Sequence, residues 1–337
     1  MSILRSLRAA LGVRRIPAVL GMWRDFRPFV RLHFLAAAFE CGLLRSLRTP
    51  STREELVQTL AVPRPELFDA LLDLGVSLGE LSLRDGRYAL RGGRSKLIAS
   101  DAGDPFAALA QEWVRYDNAV FRDLPPRLQG GPLGDYLGPT ATIVARSSRI
   151  LEPFIAAFIR ELVTRRRPRR LLDVGCGSGA YLIHAGLADG DLTGTGLDIQ
   201  PAVVAQARAN VSSRGLAERF DVIVADVRAP PSSTIRLPFD LITLINNVYY
   251  FAPDERPGLF ARLRSWLTPG GALVVVAATR DGGATIRAFD LVLRSTEGCS
   301  PLPDRGALSQ QLQAAGFSEV RWERLALGQP LDAVVAT

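Results

Sequence analysis

The sequence predicts an α/β fold, with a doubly wound parallel sheet in the second half of the chain and a mainly helical first half. From Leu171 onward, five apolar runs alternate with segments of helical spacing; the runs are LLDV, LTGTGLD, FDVIVA, FDLITLI and ALVVVAA. Apolar strands that alternate with helices indicate a parallel sheet covered on both faces. A helical pattern, ALSQQLQAAGF, and two strand patterns, VRWERLAL and LDAVVA, end the chain, and we expect the strands to form a hairpin.

Length and composition indicate about two globular domains, because 337 residues with 47% apolar content can bury substantial cores. The net charge of +7 raises the question of nucleic-acid binding. However, Lys96 is the only lysine, and arginine is abundant along the whole chain, as are alanine and leucine. This spread indicates a compositional bias rather than a binding surface, so nucleic acid is not the expected partner.

The cysteines argue against both a disulfide scaffold and a zinc site. Cys41, Cys176 and Cys299 lie far apart, and no CxxC pair is present. We therefore expect no metal and a reducing, cytoplasmic location. Apolar runs stay shorter than the roughly 18 residues of a spanning helix, and no clean signal-peptide pattern opens the sequence.

Residues 1–30 form a basic N-terminal arm in which apolar and arginine residues interleave at helical spacing: Ile3, Leu4, Leu7 and Leu11 with Arg5, Arg8, Arg14 and Arg15. Such an arm can lie on an anionic membrane. We favour an arm that packs over a partner subunit or frays. Pro17 and Pro28 are expected to interrupt any helix here.

Residues 31–100 predict a small helical domain with a hairpin. The segment HFLAAAFECGLLRSL is apolar nearly all round, which is typical of a helix covered by another element or chain. Thr52 and Glu55 form a capping-box pattern, and Asp85-Gly86 separates two short alternating strands. The order resembles a winged helix. Its second helix is acidic on the exposed side (Glu66, Asp69, Asp73), which favours packing or dimerisation over DNA binding.

Residues 101–160 predict connecting helices. The segment EWVRYDNAVFRDL sets aromatic residues among charged ones. Such a helix usually packs between domains, but Trp113 and Tyr116 are our candidates for the wall of a substrate pocket.

The stretch LLDVGCGSGAY predicts a ligand-binding turn between a strand that ends at Val174 and a helix that begins near Ala180. Gly175, Gly177 and Gly179 permit left-handed backbone and let a ligand approach the main chain. The stretch also fits the dinucleotide pattern G-x-G-x-x-G/A, and Asp198 stands about 20 residues further on, as that pattern requires. These residues alone leave NAD and other adenosyl ligands open.

Three further features separate these ligands. Asp173 precedes the glycines on the strand, Asp226 is expected at the end of the third strand, and a strand pair follows the fifth βα unit in place of a second nucleotide-binding half. With DVGCGSG, GLD, ADV and LTPGG in this order, residues 150–337 resemble class I S-adenosylmethionine (SAM)-dependent methyltransferases.

This resemblance implies a Rossmann-like sheet of the seven-stranded methyltransferase type, with SAM as the cofactor. The glycine loop would then hold the methionine portion, Asp198 the ribose and Asp226 the adenine. The implied cofactor-binding set is Asp173, Gly175, Cys176, Gly177, Gly179, Asp198, Ile199, Asp226, Val227 and Asn246. LTPGG is expected to be a turn that leads into the fifth strand.

The first half adds a second resemblance, to small-molecule O-methyltransferases with an N-terminal winged-helix dimerisation domain. It implies a homodimer formed through that domain. We accordingly divide the chain into the arm (1–30), the winged-helix-like domain (31–100), the connecting helices (101–160) and the SAM-binding domain (161–337).

The stretch Asn246–Phe251 follows the fourth strand, where ligands of doubly wound sheets bind, so we expect it to face the acceptor. Tyr250 occupies the place where plant-like O-methyltransferases carry a histidine base. The two histidines, His33 and His184, are assigned to packing. We predict that Tyr250, Asn247 and Tyr249 position the acceptor.

Asn246–Tyr249 lacks the prolines of the N-P-P-Y motif, which argues against methylation of nucleic-acid bases. The expected function is methyl transfer from SAM to an oxygen of a small secondary metabolite, mainly through proximity and orientation. The alternatives left open are C- or N-methylation of a small molecule, a SAM-dependent reaction other than methylation, and a winged-helix regulator that binds SAM.

Overall fold

A computed structural model describes residues 16–135, 137–229, 235–328 and 330–337. These residues form two compact units. The first comprises the chain up to Asp123 and the segment that ends at Ile150; the second comprises Leu124–Asp135 and Leu151–Thr337. The predicted division into four segments stays a prediction. Within the described ranges, none of the helices is both long and apolar enough to cross a bilayer.

The chain up to Ile150 is mainly helical. Its elements are α1 (Ile16–Glu40), α2 (Leu43–Ser46), β1 (Ser51–Thr52), α3 (Arg53–Thr59), α4 (Pro65–Leu78), β2 (Leu81–Arg84), β3 (Arg87–Leu90), α5 (Gly93–Ala99), α6 (Asp104–Glu112), a π-helical turn (Trp113–Asp117), α7 (Asn118–Arg122), α8 (Leu124–Leu128), α9 (Leu137–Ser147) and a 3₁₀ turn (Ser148–Ile150). Of these, α8 belongs to the second unit.

Two local predictions for the first unit are confirmed. Thr52 and Glu55 form both bonds of a capping box at the start of α3. Strands β2 and β3 pair as the predicted hairpin, and β1 adds to β3. The predicted single apolar helix is instead divided between α1 and α2, because the chain turns at Gly42 with φ +80°, although Phe34 and Leu44 are buried as expected. Gly75 brings α4 close to that core, because a Cβ there would lie 2.6 Å from the Phe34 ring.

The predicted interruption at Pro28 is wrong, since α1 runs from Ile16 to Glu40 with Pro28 inside it. The predicted effect of Pro17 stays a prediction, because the chain before Ile16 lies outside the described residues. Pro28 lies in an exposed stretch of α1, and the long helix on both sides retains the remaining bonds. The predicted apolar and arginine positions between residues 3 and 15 lie outside the described residues.

The second unit continues with α10 (Glu152–Arg166), β4 (Arg170–Val174), α11 (Ala180–Ala188), β5 (Thr193–Asp198), α12 (Pro201–Ser213), β6 (Phe220–Val224), β7 (Phe239–Ile245), a 3₁₀ turn (Val248–Tyr250), α13 (Arg256–Ser265), β8 (Leu267–Ala278), α14 (Ala284–Arg294), α15 (Arg305–Ala314), β9 (Val320–Arg324) and β10 (Leu331–Ala336).

Its seven strands form one sheet in the order β6-β5-β4-β7-β8-β10-β9, which confirms the predicted doubly wound fold. Strands β4 to β8 are parallel, and β10 pairs antiparallel with both β8 and β9. Separate apolar clusters cover the two faces. The strand order reverses between β4 and β7, so the carboxyl ends of these two strands flank the expected ligand crevice.

The segment LTPGG differs from its prediction as a simple turn, because β8 already begins at Leu267. Gly270 has φ +81° within the strand. The pairing of β8 with β7 shifts register between Phe239 and Leu241. These residues therefore form an irregular, bulged start of the strand.

Asp332 on β10 lies at the centre of a buried polar network. Its side chain is fully buried and accepts hydrogen bonds from Arg305, Arg324 and Thr279. Burial raises the pKa of this carboxyl, but the hydrogen bonds from Arg305, Thr279 and Arg324 outweigh that effect and hold the pKa below its usual value. The resulting stabilisation is present above the unfolded-state pKa of about 4 and is lost as the pH falls further.

We expect Asp332→Asn to lower the free energy of unfolding by about 2 kcal/mol at neutral pH, because charge-assisted hydrogen bonds to two guanidinium groups are lost. Urea titrations measure this change. The control is Glu319→Gln, which removes an exposed ion pair with Arg321 and should change stability by less than about 0.5 kcal/mol. Equal losses in the two variants would contradict the assignment.

Candidate cofactor and acceptor site

The glycine loop follows β4 as predicted. Gly175, Gly177 and Gly179 all have positive φ, at +65°, +52° and +75°, and α11 begins directly afterwards. The Cys176 N–H donates to the Leu197 carbonyl at 2.9 Å, which ties the loop to β5. A Cβ at Gly177 would meet no atom within 4 Å among the described residues. The main chain at Gly177 is therefore open to a ligand.

Asp173 lies beneath this loop with its side chain almost completely buried. Oδ1 accepts from the Thr243 hydroxyl at 2.7 Å. Oδ2 is buried and has no hydrogen-bond partner in the part of the chain that the structure describes. Burial raises the pKa of this carboxyl to about 7, although the Thr243 hydrogen bond acts in the opposite direction. Asp173 can therefore accept a cationic donor.

Asn247 contacts the loop from the end of β7. Its Nδ2 donates to the Val174 carbonyl, and a Cβ at Gly175 would lie 2.3 Å from that nitrogen. The preceding residue, Asn246, makes the turn with φ +52°. Asn247 Oδ1 is buried and, within the described ranges, lacks a donor. Asn247 thus supports the glycine loop, and its predicted contact with the acceptor stays a prediction.

The acids predicted for ribose and adenine follow the next two strands. Asp198 ends β5, and its Oδ2 accepts from the Gly177 N–H at 3.1 Å, so this acid also holds the loop. Asp226 is exposed and stands two residues beyond β6, which ends at Val224 rather than at the acid as predicted. The chain turns there, and Asp226 Oδ1 accepts from the Arg228 N–H at 2.9 Å.

The neighbours of these acids differ in exposure. Ile199 is 56% exposed beside Asp198, which leaves an apolar surface free to contact a flat ring. Val227 is buried in the core beneath the sheet edge. Its side chain cannot contact a ligand, so any cofactor contact at Val227 is through the main chain.

The acceptor lip, which we define as Val248–Phe251, contains a 3₁₀ turn with two tyrosines. The rings of Tyr249 and Tyr250 lie 5.0 Å apart, and Phe289 from α14 packs edge-on against Tyr249 at 6.1 Å. Desolvation raises the pKa of Tyr250 to about 12, although its side chain is 38% exposed. The Tyr250 phenol therefore stays protonated at neutral pH and can donate a hydrogen bond, but it is no base.

Phe289 is a site residue that the sequence analysis missed. The β-strand ends alone pointed to the acids and the lip, whereas Phe289 reaches the lip from the helix after β8. The only available signal was topological: β8 is parallel to β7, so the helix that follows it starts at the same edge of the sheet.

The remaining candidates divide between the two units. His184 lies 3.3 Å from Glu152 and 3.3 Å from Arg160, and the His33 ring packs 4.3 Å from Phe29, in keeping with the packing roles assigned to them. Trp113 and Tyr116 lie on the π-helical turn of the first unit. Their place in a substrate pocket stays a prediction.

Comparisons with known proteins identify the chemistry. Residues 171–271 match a family model described as a methyltransferase domain. Demethylspheroidene O-methyltransferase of Cereibacter sphaeroides is 28% identical over 322 residues, which cover 87% of this chain and 80% of that protein. The 3-hydroxy-5-methyl-1-naphthoate 3-O-methyltransferase of Streptomyces sahachiroi is 27% identical over 330 residues, or 91% of this chain and 89% of that protein.

The chain contains a methyltransferase domain and is a SAM-dependent methyltransferase. The methyltransferase also shares its fold with the solved structure of the mitomycin 7-O-methyltransferase MmcR, at a TM-score of 0.79 and 19% identity over 96% of this chain and 98% of the other. These matches extend well beyond the methyltransferase domain into the helical first unit.

SAM is the cofactor of this methyltransferase, and the site fits it. The α-ammonium group of SAM brings several donors, and the two buried oxygens without donors, on Asp173 and Asn247, lie at the glycine loop where the methionine portion would bind. The predicted contacts of Asp198 with the ribose hydroxyls and of Asp226 with the adenine amine stay predictions. SAM supplies a methyl group already activated by the sulfonium.

We expect the affinity for S-adenosylhomocysteine (SAH), which carries the same ammonium group, to fall as the pH drops through about 7. Protonation turns Asp173 from an anionic acceptor into a neutral acid, and the loss approaches tenfold per pH unit at most. The affinity should also fall at alkaline pH, once the ligand amine loses its proton and can no longer pair with the carboxylate. Calorimetry from about pH 5.5 into the alkaline range beyond the pKa of the ligand amine measures both limbs of this affinity profile.

In Asp173→Asn the acidic limb should disappear while the alkaline limb remains. Glu152→Gln serves as the matched control, because Glu152 contacts His184 rather than the loop, and it should keep both limbs. An acidic limb that persists unchanged in Asp173→Asn would rule out Asp173 as its source.

Proposed function

We propose that this methyltransferase transfers the methyl group of SAM to an oxygen atom of a small secondary metabolite. Two proteins named as O-methyltransferases of small molecules align with nearly the whole chain, which supports this assignment. The observation that carries it is the lip itself: two aromatic phenols, backed by Phe289, beside the glycine loop that holds the cofactor.

The chain's residues act by placement. The lip phenols can stack on a flat acceptor and donate hydrogen bonds to its oxygen, and Asn247 and Asp198 hold the loop that fixes the position of the methyl group. Alignment of two reactants is worth about 7–11 kcal/mol. Because the pKa of Tyr250 is raised, the acceptor oxygen has to lose its proton to solvent before transfer. An acidic phenol or a carboxylate meets this requirement.

The proposal can be tested with methyl-labelled SAM and paired acceptors, a hydroxynaphthoate and its aminonaphthoate counterpart. We expect the labelled methyl group on the oxygen of the hydroxynaphthoate. The rate should rise with pH through the pKa of that acceptor hydroxyl. Tyr250→Phe should raise the acceptor KM by about 2–10-fold through the loss of one hydrogen bond. Tyr88→Phe, in the core of the first unit, should leave KM unchanged. Methylation of the amine alone would refute O-methylation.

We further propose that the first unit forms a homodimer interface and that Trp113 and Tyr116 help to enclose the acceptor. The exposed surface of α1 supports the first point, because four large apolar residues on one side of the helix are exposed: Met22 76%, Trp23 69%, Phe26 55% and Phe29 50%. Apolar surface of this extent is typical of a protein interface. Nucleic acid and membrane are not the proposed partners, and a cytoplasmic location remains a prediction.

The interface predicts that the wild-type protein elutes with twice the chain mass of 36.6 kDa in light-scattering chromatography. Trp23→Glu combined with Phe26→Glu should shift it to the monomer, because both charges would have to be buried in the interface. Leu327→Glu, at a residue that is 99% exposed in the second unit, should remain dimeric. A monomeric wild-type protein would refute the dimer.

A further inference from the structure

The acceptor lip is held by three different segments of the chain. The carbonyl of Tyr249 accepts from the Ser300 N–H at 2.7 Å, that of Tyr250 from Arg228 Nη2 at 2.9 Å, and that of Phe251 from Arg256 Nε at 3.1 Å. Three consecutive carbonyls are thus fixed from outside the lip. The positions of the two phenols depend on these three donors.

Arg228 differs from the other two donors because it also contacts the adenine-side acid. Its main-chain N–H donates to Asp226 Oδ1 at 2.9 Å, and its Nη1 lies 3.5 Å from Asp226 Oδ2. The guanidinium group stacks over the Phe251 ring, with 4.8 Å to the centroid. One side chain therefore links the acid predicted to bind adenine with the lip predicted to bind the acceptor.

We propose that Arg228 is a positioning residue that couples the two binding sites, so that cofactor binding orders the acceptor lip. The inference rests on the proposed roles of Asp226 and the lip. When adenine engages Asp226, the carboxylate is fixed in one orientation. The planar guanidinium, which contacts that carboxylate and the Tyr250 carbonyl together, is fixed with it. By reciprocity, an ordered lip strengthens cofactor binding by the same factor.

A surface ion pair with no functional role would also bring Arg228 near Asp226, and such pairs contribute little to stability. The two interpretations differ in their response to ligand. A passive pair leaves lip dynamics unchanged when the cofactor binds, whereas coupling slows the opening of the lip. The reporters are the amides of Tyr250 and Phe251, which donate to the carbonyls of Asn247 and Val248.

Arg262 provides a matched control. Its Nη1 donates to the carbonyls of Val227 at 3.1 Å and Ala229 at 2.9 Å and to the main-chain carbonyl of Arg228, so it holds the same turn as Asp226 without touching the Arg228 guanidinium. No bond from Arg262 to the lip is present among the described residues. Replacement of either arginine by lysine keeps the charge and removes the planar fork of donors.

The experiment is hydrogen exchange of the full-length protein with and without saturating SAH. In the wild type and in Arg262→Lys, SAH should slow exchange in the 224–229 turn and in the lip, the latter by about fivefold or more, the lower end of typical coupling between sites. In Arg228→Lys, SAH should slow exchange in the turn only. Unchanged melting temperatures of the ligand-free variants show that both are folded.

Each result decides between the hypotheses. Lip protection that persists in Arg228→Lys overturns the role of Arg228, and a wild-type lip that does not respond to SAH overturns the coupling; in both cases the cofactor site stands. Absence of protection in the wild-type turn refutes the assignment of Asp226 to the cofactor, and with it the proposed link.

Discussion

Two buried oxygens that lack donors, one on Asp173 and one on Asn247, set the constraint on which the described site depends. A buried acceptor that makes no hydrogen bond costs about 1–3 kcal/mol, more when it is ionised. The fold tolerates this cost because both groups are anchored by their other atoms, to Thr243 and to the Val174 carbonyl. If the ammonium group of the cofactor binds at the predicted place, it offers the missing donors, and its binding then removes a cost that folding leaves in place.

The glycine loop and its support are mutually dependent. Gly175 can have no side chain, because Asn247 occupies that space, and Asn247 can reach Val174 only because the chain turns at Asn246. Asp198 adds a further bond to the Gly177 N–H. The loop is therefore fixed by residues from β5 and β7 before any ligand binds, which is the pre-organisation that a proximity mechanism requires.

The predictable part of this site was local in sequence. Strand endings, glycines and the acids beside them leave short motifs, so the glycine loop and the positions of Asp173 and Asp198 on their strands could be predicted, and the resemblance that these motifs carry implied the seven-stranded sheet. Phe289 and the arginine bonds to the lip could not, because a guanidinium that binds a distant main-chain carbonyl requires no particular residue at the partner position. The predicted interruption at Pro28 was wrong because the local helix-breaking preference of proline was outweighed by the length of the helix on either side.

The acceptor lip offers few bases because its residues are a valine, two tyrosines and a phenylalanine. Main-chain carbonyls of the lip are taken by Ser300, Arg228 and Arg256, and the Tyr250 phenol is desolvated enough to raise its pKa to about 12. An acceptor that arrives as an anion needs no base from the lip. The lip therefore favours an acidic substrate instead of supplying a base. Methyl transfer from the cationic sulfonium to an anionic acceptor then neutralises both charges.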